Sequence, residues 1–155
     1  MHKLEREEMR HIGRKAWFLI ALSSLAGCAS TTQYVHLPDQ TKLLEDPSKA
    51  RIYVVRPTIF GSAIPMKIRD GDKFIGETGP KGYLCWERDP ALVEITGKAE
   101  NTARLPLTVE KGMVYYIQQR VRMGLLFARN KLSLLSEEKG KAALKKCKPP
   151  RSGNP

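Results

Sequence analysis

The stretch AIPMKIRDGDKFIGE, residues 63–77, carries the pattern that decides the fold. From Ile64 to Arg69, apolar residues alternate with proline or charged residues, which is typical of a strand with one buried face. Gly71 lies between two aspartates, a sequence that favours a tight hairpin turn. The apolar segment KFIGE follows that turn directly. The stretch therefore predicts two antiparallel strands joined by a hairpin.

Similar short segments recur along the rest of the chain. Leu105, Leu107 and Val109 alternate with polar residues in RLPLTVE, and further strand candidates are RIYVVR, YLCWE, ALVEIT, MVYYIQQRVRM and KLSLL. Pro65 and Pro106 lack the amide hydrogen that a central strand donates, so we expect them at sheet edges or bulges. Seven or eight short strands separated by Gly and Pro predict an all-β fold, an antiparallel sandwich over residues 50–148.

A short helix is predicted near the carboxyl end of the chain. Ser136 stands at its N-cap position. The charges at its two ends complement the helix dipole, with Glu137 and Glu138 in the first turn and Lys145 and Lys146 in the last. Beyond this helix, residues 149–155 are predicted to be a disordered tail.

Residues 1–27 have the composition of a signal peptide. Basic residues through Lys15 precede AWFLIALSSLAG, an apolar run over residues 16–27. A helix of about twelve residues is about 18 Å long, too short for the ~30 Å hydrocarbon core of a bilayer. A permanent membrane span is therefore disfavoured. Because a compact, purely basic version of this signal begins at Met9, we predict that translation starts there.

The end of this signal, Leu25-Ala26-Gly27-Cys28, resembles the lipobox of bacterial lipoproteins. The resemblance implies that Cys28 becomes the first mature residue and carries diacylglycerol on its thiol and an acyl chain on its amino group. Two or more acyl chains give stable anchoring, whereas one is marginal. Ala29 and Ser30 follow the cysteine instead of Asp, which by the same resemblance implies the outer membrane, facing the periplasm. The alternatives are an ordinary secretory signal or a buried helix with an incidental cysteine.

Two cysteines remain after Cys28 is assigned to lipid. An even number of cysteines in an oxidising compartment favours a disulfide, here between Cys85 and Cys147. A zinc site or two free thiols are the alternatives, and zinc is weakly supported because the chain lacks a Cys-x-x-Cys pair. Residues 28–49 are polar and contain two prolines, so they are predicted to be a flexible tether that holds the domain about 25 Å from the bilayer.

The chain from about Ala50 to Lys148 resembles the bacterial lipoproteins grouped as domain of unknown function 2846. The resemblance rests on ARIYVVRP, IRDGDKFIGE, LTVEKGMVYYIQQ and the lipobox upstream of them. These are strand and turn patterns without chemically specific residues. The resemblance therefore implies an exported all-β domain and no particular activity.

The residues give little support for catalysis and none for a cofactor or metal. A nucleophilic triad or dyad needs a histidine base, and only His36 lies after Cys28. The glycines at positions 76, 79 and 82 lack the Gly-Lys-Ser/Thr ending of a phosphate-binding loop and are expected to serve turns. Glu87 and Asp89 form a candidate carboxylate pair but are expected to be solvated surface. We predict a protein that is not an enzyme.

Charge and exposed aromatics favour a binding role. Five basic and three acidic residues precede Cys28, which leaves a net charge of +9 after it out of +11 in all. Such a charge favours anionic partners, and export makes envelope lipid or glycan the expected class and nucleic acid an excluded one. An envelope protein is the alternative partner.

One face of MVYYIQQRVRM is the candidate binding surface, with Tyr116, Arg120 and Arg122. Four further cations were expected to join this patch, namely Arg69, Arg104, Arg129 and Lys131. Leu126 and Phe127 lie in a predicted loop, residues 124–129, that either covers the core or contacts a partner. Solvated charge on an ordinary sheet face is the alternative interpretation of the basic residues.

Overall fold

The computed structural model of the protein describes residues 29–123 and 128–153. Its strands, in chain order, are β1 (Thr32–Gln33), β2 (Ala50–Arg56), β3 (Met66–Asp70), β4 (Lys73–Thr78), β5 (Gly82–Arg88), β6 (Ala91–Lys98), β7 (Thr102–Val109), β8 (Val114–Met123), β9 (Ala128–Leu135) and β10 (Arg151–Ser152), and the helix is α1 (Glu137–Leu144). The predictions for the signal peptide, Cys28, Leu126 and Phe127 lie outside the described residues.

The strands form two sheets that pack as a sandwich, so the all-β prediction with a short carboxyl-terminal helix is confirmed. One sheet has the order β10-β1-β4-β3-β6-β7, and the other has the order β5-β2-β8-β9. Most strand pairs are antiparallel, as predicted. Two pairs are parallel, β2 with β8 and β1 with β10. The chain between β2 and β8 passes through the other sheet, which makes the parallel return possible.

The core lies between the sheets and is built mainly from alternate strand residues. β2 is buried along its whole length because β5 and β8 flank it and both of its faces are covered. Its inner face contributes Ala50, Ile52 and Val54 to the larger core cluster. Burial of such aliphatic side chains contributes about 1.5–3 kcal/mol each, so this apolar strand dominates the packing of the smaller sheet.

The hairpin of the opening stretch is confirmed. Met66 and Ile68 of β3 are buried, whereas Lys67 and Arg69 are exposed. Gly71 at the turn adopts a φ of 55°, a left-handed conformation that glycine adopts at little cost. Proline also behaves as expected in β7, where Pro106 lies on an edge strand. Pro65 precedes β3 and lies outside the sheet.

The helix α1 covers the outer face of the four-stranded sheet. It approaches the sheet closely at Gly140, where a Cβ would lie 2.2 Å from the Tyr116 ring. This contact explains a glycine in a helix, which costs up to about 1 kcal/mol in propensity. Ser136 holds the N-cap position but its side chain makes no capping hydrogen bond. Lys145 is the C-cap residue, and Lys141 is the lysine of the last turn.

The two terminal segments differ from their predictions. Residues 29–49 pack on the domain instead of forming a free tether, and β1 pairs with both β4 and β10. The predicted disordered tail supplies β10 through Arg151–Ser152. Polar composition did not predict the packing of residues 29–49, because polar groups of this segment form hydrogen bonds with the sheets.

Candidate functional site

The residues that directly follow Cys28 are fixed at one end of the sandwich. The Ala29 amide donates a hydrogen bond to the Ser62 carbonyl at 3.1 Å. Two residues later, Thr31 Oγ1 accepts a hydrogen bond of 2.8 Å from the Gly79 amide in the buried interior. We call this end of the molecule the anchor end. It comprises residues 29–31, the loop of residues 57–65, and the adjoining ends of β8 and β9.

Three glycines make room for the segment that follows Cys28. A Cβ at Gly79 would lie 2.1 Å from the Ala29 carbonyl oxygen, and one at Gly76 would lie 2.3 Å from the Thr32 carbonyl oxygen. At Gly82 the nearest atom would be a threonine hydroxyl at 1.8 Å. The spacing of three, which we expected to serve turns, instead permits a close approach of the backbone.

Gln33 joins the same segment to the second sheet. Its side-chain Nε2 donates to the Cys85 carbonyl at 2.7 Å, and its Oε1 accepts from the Cys85 amide at 2.9 Å. The side-chain amide of Gln33 thus hydrogen-bonds to both the backbone N–H and the backbone C=O of Cys85 in β5. Gln33 itself lies in β1, a strand of the larger sheet. Because its side chain is buried, its hydrogen bonds stabilise the contact between β1 of the larger sheet and β5 of the smaller one.

Arg56 fixes the shape of the loop at the anchor end. The residue is fully buried, and its guanidinium donates to the carbonyls of Phe60, Gly61, Ile64 and Thr78 at 2.6–3.3 Å. Among the described residues it has no carboxylate partner, and burial lowers the pKa of its guanidinium. Sequence analysis missed this role because an arginine at the end of an apolar strand is usually solvent-exposed.

The loop that Arg56 holds presents apolar side chains to solvent. Ile59 is 66% exposed and Phe60 is 48% exposed. No charged residue occurs in residues 57–65, PTIFGSAIP. The anchor end therefore carries an uncharged loop with two exposed apolar side chains, and the same loop accepts a hydrogen bond from the residue that follows Cys28.

A basic face borders this projection on the outer side of β8 and β9. Arg120 pairs in register with Lys131, and Arg122 pairs with Arg129. Cross-strand partners lie on the same face of a sheet, and all four are exposed. We call these four residues the outer basic face. Residues 114–135 contain no Asp or Glu, so no acidic side chain within these strands neutralises it.

The predicted binding surface is only partly brought together. Tyr116 is buried, because α1 covers it and its ring stacks on Tyr53 with centroids 5.2 Å apart. Arg69 and Arg104 lie on β3 and β7 of the other sheet, so they do not join Arg120. The prediction that Tyr116 is exposed and that all six cations form one patch is therefore wrong.

The helix adds further cations beside the outer basic face. A cleft of about 240 Å³ lies between α1 and the sheet, and its lining includes Arg120, Lys139 and Lys146 together with Pro57 at the start of the loop. No acidic residue lines it. The cleft thus connects the basic face to the apolar loop and has the charge to hold an anionic group.

Glu87 has a structural role, so it does not form a carboxylate pair with Asp89. Its carboxylate accepts hydrogen bonds from Arg51 at 2.8–3.0 Å and from the amides of Glu45 and Asp46. Arg51 also donates to the backbone of residues 39 and 42. These contacts bind residues 39–46 to β2 and β5 and contradict the expectation of a solvated carboxylate. Asp89 is exposed and lies beyond the end of β5.

Cys85 and Cys147 are free thiols in the structure, so the predicted disulfide is not formed. They do lie in the same cluster, with Tyr53, Tyr83 and Tyr116. Gln40 Nε2 lies 3.6 Å from Cys85 Sγ, and the Cys147 thiol lies 3.4 Å from the Ala143 carbonyl. Burial raises the pKa of each thiol to about 11.

The described residues contain no cluster of three or more metal-ligating side chains. Within the same part of the chain, no helix has the length and apolar character needed to cross a membrane. His36, the histidine considered as a base, lies on the surface with its ring Nε2 2.9 Å from a carboxylate oxygen of Glu45.

Comparison with known proteins adds a relative without an assigned role. The chain is 28% identical over 126 residues to an uncharacterized protein of Haemophilus influenzae. The aligned residues cover 79% of this chain and 75% of that protein. No protein-family model matches the chain, and no solved structure is significantly similar to it. The resemblance to domain of unknown function 2846 stays a prediction.

Proposed function

We propose that the chain is a lipid-anchored, non-catalytic domain of the bacterial cell envelope, attached through Cys28 and acting as a structural or binding component in the periplasm. The observation that carries the proposal is the sequence Leu25-Ala26-Gly27-Cys28 behind a short apolar run. Ala29, which directly follows Cys28 in the chain, is hydrogen-bonded to the Ser62 carbonyl of the domain. Similarity to a bacterial protein supports the bacterial setting, and outer-membrane placement rests on the residues after Cys28 alone.

Membrane fractionation of Cys28→Ser beside the wild type tests the proposal. The wild type is expected in the membrane fraction after a high-salt wash, and Cys28→Ser is expected to leave it, because the serine cannot carry a thioether-linked lipid. Cys147→Ser is the matched control and should fractionate as the wild type does. A soluble wild type, or a Cys28→Ser variant that remains in the membrane fraction, would contradict the proposal.

The outer basic face and the α1 cleft favour a second candidate function. An accessory subunit of an envelope complex would dock a protein through these cations, or through residues 124–129. Crosslinking in intact cells from position 122 distinguishes the two functions. One stoichiometric protein adduct supports the accessory subunit, whereas lipid or glycan adducts support the binding component.

A further inference from the structure

We infer that the anchor end lies directly on an anionic phospholipid surface, with the 57–65 loop inserted at the headgroup level and the outer basic face against the lipid phosphates. This inference rests on the proposed attachment through Cys28. It goes further by naming the face of the sandwich that meets the membrane and the side chains that contact lipid.

The first step is the short distance between anchor and domain. Consecutive Cα atoms are about 3.8 Å apart, and the Ala29 amide is hydrogen-bonded to Ser62 of the loop. The lipid-bearing residue is therefore covalently joined to a residue that is part of the fold. A flexible tether would have permitted any orientation at about 25 Å, whereas this attachment brings the anchor end to the bilayer.

The second step is the chemistry of the loop that stands beside that attachment. Ile59 and Phe60 project from the domain, and the loop carries no charge. Arg56 binds three of its carbonyls, so the apolar side chains are presented in one arrangement. An apolar projection of this kind is suited to the boundary between headgroups and acyl chains.

The third step is the charge around the loop. Lys81 donates its amide to the Thr58 carbonyl, and Lys146 and Arg120 line the cleft with Pro57. The four residues of the outer basic face extend the cationic rim along β8 and β9. By contrast, the exposed carboxylates Asp72, Asp89 and Glu110 lie at the opposite end of the sandwich. Glu100, in the turn between β6 and β7, is an exposed carboxylate toward the anchor end. Cations within a Debye length of about 8–10 Å of anionic lipid are attracted to it.

A protein or a second copy of the chain is the competing occupant of this surface. The bilayer is favoured because the anchor places it at this end, and the opposite end would face away from it. Binding of a protein would not require the apolar loop to lie beside the attachment point, whereas docking on a bilayer does.

Tryptophan fluorescence at position 60 tests the inference. The processed chain contains Trp86, which is buried, so Phe60→Trp adds an exposed reporter at the anchor end. The lipidated variant is placed in vesicles of phosphatidylethanolamine and phosphatidylglycerol with brominated acyl chains. Its emission should shift to shorter wavelength and lose intensity to the bromine, relative to wild type. Leu92→Trp, at an exposed apolar site on β6 near the opposite end, is the matched control and should show neither effect.

Charge reversal supplies the second measurement. In the Phe60→Trp background, Arg122→Glu with Arg129→Glu should lose most of the bromine quenching when phosphatidylglycerol is present. Lys73→Glu with Lys111→Glu, at the opposite end, should leave it unchanged. Equal quenching at positions 60 and 92, or none at position 60, would overturn the inference, as would a position-60 crosslink to protein in place of lipid.

The failure of the anchor is measured separately in the same preparation by intact mass. A chain without acyl groups refutes the proposed attachment. Cys28 is then coupled to a maleimide-bearing phospholipid, and the quenching at positions 60 and 92 still decides which face meets the membrane. Acylated protein without quenching at position 60 refutes the docking face alone.

Discussion

Arg56 is a buried cation whose described hydrogen-bond partners are all backbone carbonyls. Its planar guanidinium donates hydrogen bonds both to the Thr78 carbonyl on β4 and to carbonyls of the 57–65 loop. Lysine has one ammonium group on a flexible stem and cannot hold both sides in this arrangement. The residue therefore couples the loop to the sheet.

We predict that Arg56→Lys lowers the free energy of unfolding by about 2 kcal/mol, because hydrogen bonds from a charged group contribute about 1.5–3 kcal/mol. Hydrogen exchange at the Ile64 amide, which is bonded to the Gly61 carbonyl, should accelerate at the same time. Arg104→Lys, at an exposed ion pair with Glu94, is the control and should change stability by less than about 1 kcal/mol. Unchanged exchange at Ile64 would show that Arg56 does not hold the loop.

We predict that Cys85 and Cys147 resist maleimide in the native protein at neutral pH. The thiolate is the reactive form, and burial raises both pKa values to about 11. Labelling should become rapid when the protein is unfolded without reductant. If the unfolded protein reacts only after reduction, the two residues form a disulfide and the free thiols of the structure are contradicted.

At the scale of the elements, the segment of residues 29–33 depends on small residues in its neighbours. This segment crosses β4, the β4–β5 turn and the start of β5. A Cβ at Gly76, Gly79 or Gly82 would collide with it. Sequence reasoning recorded the regular spacing of these glycines but assigned them to turns. The partner of a glycine is long-range, and a spacing of three carries no information about which segment lies against it.

Gly79→Ala should displace this segment and lower stability by about 2 kcal/mol, within the usual cost of overpacking of about 1–3 kcal/mol. The amides of residues 31–33 should exchange faster, because the new Cβ would collide with the Ala29 carbonyl. Gly112→Ala is the control. Its cost comes from a φ of 79° with open space around it, so exchange in residues 31–33 should not change. Protected amides in Gly79→Ala would contradict the close approach.

A second element, residues 39–46, is held by the buried pair of Arg51 and Glu87. Removing one partner of a buried ion pair costs about 3–5 kcal/mol, because the other charge stays buried. Glu87→Gln should therefore lower the free energy of unfolding by about 3 kcal/mol in denaturant titration. Glu94→Gln, which breaks an exposed pair, should cost less than about 1 kcal/mol. Equal effects in the two variants would mean that Glu87 is solvated.

At the scale of the whole molecule, strand and hairpin positions could be predicted because they depend on local alternation. Ile64 to Arg69 and the glycine turn are sufficient for the first hairpin. The parallel pairing of β2 with β8 was not predictable, since the two strands are far apart in sequence and an apolar segment does not encode its neighbour's direction. The burial of Tyr116 depends on α1, whose docking site the helix sequence alone does not specify.

In the candidate site, too, features set by local sequence could be predicted and features set by long-range contacts could not. The prediction for Cys28 rests on a local motif and stays a prediction. Arg120 and Arg122 lie on an exposed face of β8, as expected. Arg69 and Arg104 were assigned to that face only because strand order was unknown. The contact of Ala29 with the 57–65 loop could not be predicted from the sequence, because it depends on the tertiary structure. The predicted flexible tether is replaced by a segment that packs on the domain.

Mass spectrometry of the amino-terminal peptide tests the central claim, that the mature chain starts at a lipidated Cys28. The protein is purified from the membranes of a bacterium that processes lipoproteins, and its terminal peptide is sequenced. The account predicts a peptide that begins Cys28-Ala29-Ser30, with a diacylglycerol thioether and an acyl group on the amino terminus. An unmodified cysteine, or a peptide that begins at or before Met9 and continues through Cys28, would contradict it.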